Sequence, residues 1–171
     1  MFTALTRKGK DQMKNTDEAP NTIPWPPIIL LASILCGWLA GRYFPLPWAS
    51  SGMARDILQG VGIIAIGVAV LIYAMAFRAM QRMRTNILPH RAADHLVTDG
   101  PFAFSRNPIY LANFILVTGL GLALANLWLP IAALIAAWLE QKLGIEREEA
   151  HLEHKFGRAW RDYKKRVRRW I

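Results

Sequence analysis

Residues 57–77 read "ILQGVGIIAIGVAVLIYAMAF", an apolar stretch with no charged side chain. About 20 such residues in a helix rising 1.5 Å per residue match a hydrocarbon layer roughly 30 Å thick. A second stretch of the same kind, "PWPPIILLASILCGWLAGRYF" from Pro24 to Phe44, has Arg42 as its only charge. The chain is 171 residues long and 53% hydrophobic with a formal net charge of +9, a pairing that suits a membrane protein better than a soluble one. A third run spans Pro108–Ala125 and a fourth Leu127–Leu139, parted by Asn126. Periodicity alone allows one long buried helix there, but it would carry Asn126 and Pro130 in its middle, so a tight hairpin of two shorter spans is expected. The fold expected is therefore all-α and polytopic, with four transmembrane helices at about 24–44, 57–77, 108–125 and 127–143 and amphipathic cytoplasmic helices over 145–168. These make a single domain, 23–171, preceded by a flexible arm over 1–22.

The cations fix an orientation for that arrangement. Of 21 Lys and Arg, only Arg42 and Arg55 fall on one side; the others lie in the N-terminal segment, in the loop from Arg78 to Arg106, and from Lys142 onward. By the positive-inside rule both termini and the middle loop face the cytoplasm, as in a bacterial inner-membrane protein. The first span follows a polar stretch and lacks a small-x-small cleavage pattern, so it is expected to be retained. The lone cysteine, Cys36, excludes an internal disulfide and any cysteine-cluster metal site. Basic charge that flanks spans, with no nucleic-acid module around it, points to anionic membrane lipids as partners and not to nucleic acid. Gly60, Gly62 and Gly67 are read as sites of close helix contact, within or between chains, and oligomeric state stays open.

Two stretches on the cytoplasmic side carry chemistry. At the entrance to the third span, "DGPFAFSRNPIY" combines a Gly100-Pro101 turn with Ser105 or Asn107 as helix cap and Pro108 in the first turn. Arg106 and the free amides of that helix start would favour an anion; a snorkelling arginine at an ordinary helix entry is the plainer account. In the tail, Glu148, Leu152 and Phe156 share a helix face, Gly157 reads as a cap, and Lys164, Lys165, Arg166, Arg168 and Arg169 with Trp170 read as an interfacial anchor. Adjacent carboxylates at Glu148 and Glu149, just below an anionic surface, call for a cationic or hydroxyl-bearing partner: Arg147, a neighbouring cation, or a ligand. Glu148-x-x-His151 has the spacing of a di-iron bundle motif, but the further glutamates such a site needs are missing, and no metal is expected.

Together, "LVTDGPFAFSRNPIYLAN" and "EREEAHLEHKFGRAWRDYKKRVRRWI" resemble the integral membrane methyltransferases typified by isoprenylcysteine carboxyl methyltransferase and its bacterial phospholipid methyltransferase relatives, over roughly residues 87–168. The resemblance implies a cytoplasm-facing site for S-adenosylmethionine and a lipophilic acceptor such as a phospholipid or prenylcysteine carboxylate. Its cofactor-binding positions correspond to His95, Leu96, Val97, Phe102, Asn107, Pro108, Tyr110 and Glu148. Arg106, Tyr110 and Glu149 are the catalytic candidates, with His151 a further base. Asn107 stands where eukaryotic members have histidine, and Phe102 where a tyrosine is usual. Two rivals remain: a membrane reductase of similar architecture using a nicotinamide cofactor, and a non-enzymatic protein whose tail binds anionic lipid.

Overall fold

The structure is a computed structural model that describes residues 25–47, 52–83 and 95–171; the expected arm over 1–22 lies outside them. All regular structure among the described residues is helical. Helix α1 covers Trp25–Tyr43 and α2 covers Met53–Arg82; both are long and apolar enough to cross a membrane. A 3₁₀ turn at Gly100–Ala103 leads to α3, Pro108–Ala123. Helix α4, Trp128–Glu140, runs through a π-helical turn, Gln141–Ile145, into α5, Glu146–Phe156, and α6 covers Arg158–Arg166.

Helix α2 packs on α3, α3 on α4, and α4 on α1, so the later pair lies between the two long helices. Small residues make this packing close. A Cβ on Gly62 of α2 would lie 2.4 Å from the Ala123 nitrogen of α3, and one on Gly37 of α1 would lie 2.8 Å from Leu129 of α4. Gly60 and Gly67 have nothing within 4 Å of a Cβ, so of the three glycines expected to serve contacts only Gly62 meets another helix. Large side chains instead point outward: Leu31, Leu35 and Trp38 on α1, Ile63, Ile64 and Leu71 on α2, Leu134 and Trp138 on α4. Small residues inside and large apolar ones outside is the order expected where lipid, which is as apolar as leucine, is the solvent.

The boundaries differ from expectation in two places. Helix α2 extends beyond 57–77 at both ends, taking in the polar stretches Met53–Asp56 and Arg78–Arg82. The fourth apolar run does not stop in a loop: it continues through the π turn into the amphipathic α5, because no residue from Trp138 to Phe156 breaks a helix except Gly144, which the π turn absorbs.

Candidate active site

The entrance to α3 is built around the tail of the chain. Gly100 adopts φ +58°, a left-handed conformation open to glycine at little cost, and starts the 3₁₀ turn. Asn107 occupies the N-cap position of α3 but its side chain makes no capping bond. Its Nδ2 donates to the Arg169 carbonyl at 3.0 Å, while its backbone N–H donates to Ser105 Oγ at 3.1 Å. Ser105 Oγ also donates to the Arg169 carbonyl, at 3.2 Å, and the Arg106 N–H donates to the Arg168 carbonyl at 3.0 Å. The expected cap is thus replaced by a strap: three successive residues, 105 to 107, hold two carbonyls of the tail.

Arg106 faces a carboxylate in place of an open anion site. Its Nη2 donates to Glu149 Oε1 at 2.9 Å, and Arg169 grips the same carboxylate with Nε at 3.1 Å and Nη2 at 2.7 Å. Arg106 and Glu149 side chains are only 7% and 8% exposed, so this pair is screened from solvent. Arg106 Nη1 donates to the Lys164 carbonyl at 3.3 Å, and the guanidinium lies 5.7 Å from the Trp160 ring centroid. The bond from Arg169 to Glu149 also favours the charged form of Arg169. The cation that meets Glu149 is therefore not Arg147, which is exposed, but Arg106 together with Arg169. Two buried donors, Arg106 Nε and Trp160 Nε1, have no partner among the described residues.

Glu148 turns the other way. Tyr110 donates its phenol proton to Glu148 Oε1 at 2.8 Å. The π turn makes this contact: its wider backbone changes the register between α4 and α5, and Gly144 within it lets the phenol approach, since a Cβ there would sit 2.6 Å from the Tyr110 oxygen. Burial pushes the Glu148 carboxyl up to about 7; the Tyr110 hydrogen bond opposes this and the neighbouring Glu149 charge adds to it. Such a carboxyl changes charge near neutral pH.

The remaining candidates surround these pairs. Pro108 is buried under the strap and Val97 is buried in the loop before it. Leu96 packs on the cluster of Trp160, Tyr163 and Val167, and the Phe102 carbonyl accepts from the Tyr163 phenol at 2.7 Å. His95 is exposed at the start of the described loop. His151 is half-buried, its Nε2 has no partner among the described residues, and burial, then Lys155 and His154, holds its pKa below the usual histidine range. The sequence reading missed Arg169, taken for part of a lipid anchor. It also missed a buried cluster one helical turn deeper than Tyr110. There Asn113 Nδ2 donates to Glu140 Oε1, and Asn113 Oδ1 accepts from the Tyr73 phenol.

The site thus offers a carboxyl poised near neutrality, two buried donors awaiting an acceptor, and a shielded ion pair, all at one end of an apolar bundle. The phospholipid methyltransferase family profile matches residues 57–159, which take in α2 from Ile57 onward, residues 105–107, α3, α4 and both glutamates, and end before Trp160 and Arg169. A protein-S-isoprenylcysteine O-methyltransferase of Schizosaccharomyces pombe is 32% identical over 64% of this chain and 46% of its own length. Its counterpart in Dictyostelium discoideum is 26% identical over 95% of this chain and 67% of its own. The solved structure of a eukaryotic intramembrane Ras methyltransferase, an isoprenylcysteine carboxyl methyltransferase, superposes with a TM-score of 0.51 at 25% identity, covering 86% of this chain and 52% of that one. The chain therefore spans about half the length of the yeast relative and of that structure. With the match running through most of the bundle and through Arg106, Tyr110 and both glutamates, the chain belongs to the phospholipid methyltransferase family of membrane methyltransferases.

Proposed function

We propose that the protein transfers a methyl group from S-adenosylmethionine to a lipophilic acceptor at the cytoplasmic face of a bacterial inner membrane. In this reading the chain crosses four times, α3 and α4 forming a membrane hairpin, and both termini are cytoplasmic. The observation that carries it is the Tyr110–Glu148 pair, a polar contact set where the apolar helices meet the basic cytoplasmic segment.

The residues present suit the cofactor. The unpartnered Arg106 Nε and Trp160 Nε1 are donors for a carboxylate, and Glu148 is an acceptor for ribose hydroxyls or an ammonium. His95, Leu96, Val97, Phe102, Asn107, Pro108 and Tyr110 would complete the enclosure. When bound, the cofactor supplies a methyl group on a cationic sulfur. The chain's own contribution is placement: orienting an acceptor to within about 3–3.5 Å of the methyl, and keeping water out, is worth several orders of magnitude in rate. Tyr110 keeps its phenol proton and donates a hydrogen bond with it to Glu148, which fixes that carboxylate's orientation. Glu149 neutralises Arg106 and helps hold the strap closed, which makes Glu149 a positioning residue in this reading, while Arg106 also offers its Nε to the cofactor's carboxylate. His151, kept neutral by burial, has a free nitrogen for an acceptor's proton.

The test is calorimetric titration of detergent-purified protein with S-adenosylmethionine, S-adenosylhomocysteine and NADPH, with Glu148→Ala alongside. Micromolar binding of the first two, abolished by the substitution, is expected. Tight binding of NADPH alone, or no binding by a folded wild type, refutes the reading.

A further inference from the structure

Three polar side chains form a run across the bundle where three apolar helices meet. The Tyr73 phenol of α2 donates to Asn113 Oδ1 on α3, and Asn113 Nδ2 donates to Glu140 Oε1 at the end of α4. Asn113 is 5% exposed and Glu140 1%. Each bond joins two helices, so the run ties α2 to α3 and α3 to α4 at one level. Burying an amide and a carboxyl is costly, and apolar side chains of the same size would pack there at least as well. What the polar side chains add is direction. Apolar helix faces in lipid tolerate sliding and rotation, whereas a buried hydrogen bond is kept in one register only.

The register set here bears on Glu148. At the far end of the bundle close contacts fix the helices: a Cβ on Gly62 of α2 would meet the Ala123 nitrogen of α3 at 2.4 Å, and one on Gly121 of α3 would meet Pro130 of α4 at 2.3 Å. Toward the cytoplasm the polar run takes over that task. Asn113 lies one turn of α3 below Tyr110, on the same face, and Glu140 is the last residue before the π turn Gln141–Ile145. Gly144, which the Tyr110 phenol overlies, and Glu148, which accepts its proton in a hydrogen bond, follow Glu140 by four and eight residues. A slip of one residue in α4 rotates everything beyond it by about 100°, enough to carry Glu148 away from the phenol.

We propose that Asn113 is a positioning residue of the cofactor site: by holding Tyr73 and Glu140 at once it fixes the register of α4 against α3, so that the π turn delivers Glu148 to the Tyr110 phenol. Asn113 and Glu140 act through the Tyr110–Glu148 bond and not on the cofactor itself. The role asks for a hydrogen-bond acceptor at Glu140, not for a charge. Its effect on cofactor affinity rests on the methyl-transfer reading; the register itself does not.

Variants at Glu140 and Tyr110 test it through two readouts: S-adenosylmethionine affinity by calorimetry in detergent, and hydrogen exchange of the cofactor-free chain in lipid nanodiscs. Glu140→Leu keeps the size and removes the acceptor; it speeds exchange at the amides of residues 141–148 about tenfold and weakens S-adenosylmethionine binding about tenfold. Glu140→Gln keeps a carbonyl for Asn113 Nδ2 without a charge, and returns both readouts to within about twofold of wild type. In a Tyr110→Phe background, which already lacks the phenol bond and binds the cofactor more weakly, Glu140→Leu costs no more than about a further twofold, as befits a residue acting through that bond. A folded Glu140→Leu with wild-type exchange or affinity, a Glu140→Gln as impaired as Glu140→Leu, or the full loss repeated in Tyr110→Phe overturns the proposal. Where Glu140→Leu does not fold, Tyr73→Phe takes its place: it cuts the outer bond and speeds exchange over 141–148, and wild-type exchange there overturns the proposal. A folded wild type that binds no S-adenosylmethionine, while the exchange results stand, refutes the methyl-transfer reading instead.

Discussion

Replacing Glu149 by alanine separates the work of two adjacent glutamates. Glu149 is the anion between Arg106 and Arg169, and the Arg106 side chain is only 7% exposed. Removing one partner of a buried pair costs about 3–5 kcal/mol, mostly because the other charge is left without compensation. Arg169 is 30% exposed and can turn to water, so only Arg106 is stranded and the lower end, about 3 kcal/mol, applies. The loss falls on the strap, since Arg106 also anchors the tail through its own N–H and through the Lys164 carbonyl. Hydrogen exchange in lipid nanodiscs reads this directly at the amides of Arg106, which bonds the Arg168 carbonyl, and Val167, which bonds that of Tyr163. An opening made easier by about 3 kcal/mol speeds exchange roughly 100-fold. Glu148→Gln keeps an acceptor for Tyr110 and leaves those amides protected while removing cofactor affinity. If Glu149→Ala exchanges at the wild-type rate, or Glu148→Gln exchanges as fast as Glu149→Ala, the division of labour is refuted.

Three further outcomes are expected. Gly62→Ala, whose methyl meets the Ala123 nitrogen at 2.4 Å, forces α2 from α3 and lowers stability by about 1–3 kcal/mol, whereas Gly60→Ala, with open space around it, is neutral; melting in detergent compares them. Gly144→Ala pushes the Tyr110 phenol off Glu148 and weakens S-adenosylmethionine binding at least tenfold in calorimetry, with helix content by circular dichroism unchanged. Because the Glu148 carboxyl is raised from 4.5 to about 7, its contribution to stability is fully present below pH 4.5 and is lost as pH rises toward 7. Cofactor affinity moves oppositely, climbing about tenfold between pH 6 and 8 as the carboxylate forms, and Glu148→Gln flattens both profiles.

What could be read in advance follows from which signals are local. The runs at 24–44 and 57–77 announce helices through composition alone, and α1 and α2 lie there. Gly157, at φ +52°, does separate the two tail helices, as a glycine after an amphipathic run should. The contact of Tyr110 with Glu148 was only implicit, since each residue was singled out by resemblance but their bond depends on a π turn that leaves no periodic trace. Arg169 was hidden among nine other cations of the tail from Lys142 onward, and its selection as the partner of Glu149 is a long-range matter of where α6 returns to the strap. Glu140 and Asn113 were legible as types, one acid directly after an apolar run and one amide inside another, but no local pattern singled them out. Polar residues set in an apolar run of this kind are the signal that merits more weight.

The strap also orders events during synthesis. Residues 105–107 are made and α3 begins before α4 exists, yet their partners are the carbonyls of residues 168 and 169. Arg106 must therefore wait for Glu149 to neutralise it, and Glu149 for its second cation, Arg169. The strap cannot close on the nascent chain until translation has passed that point.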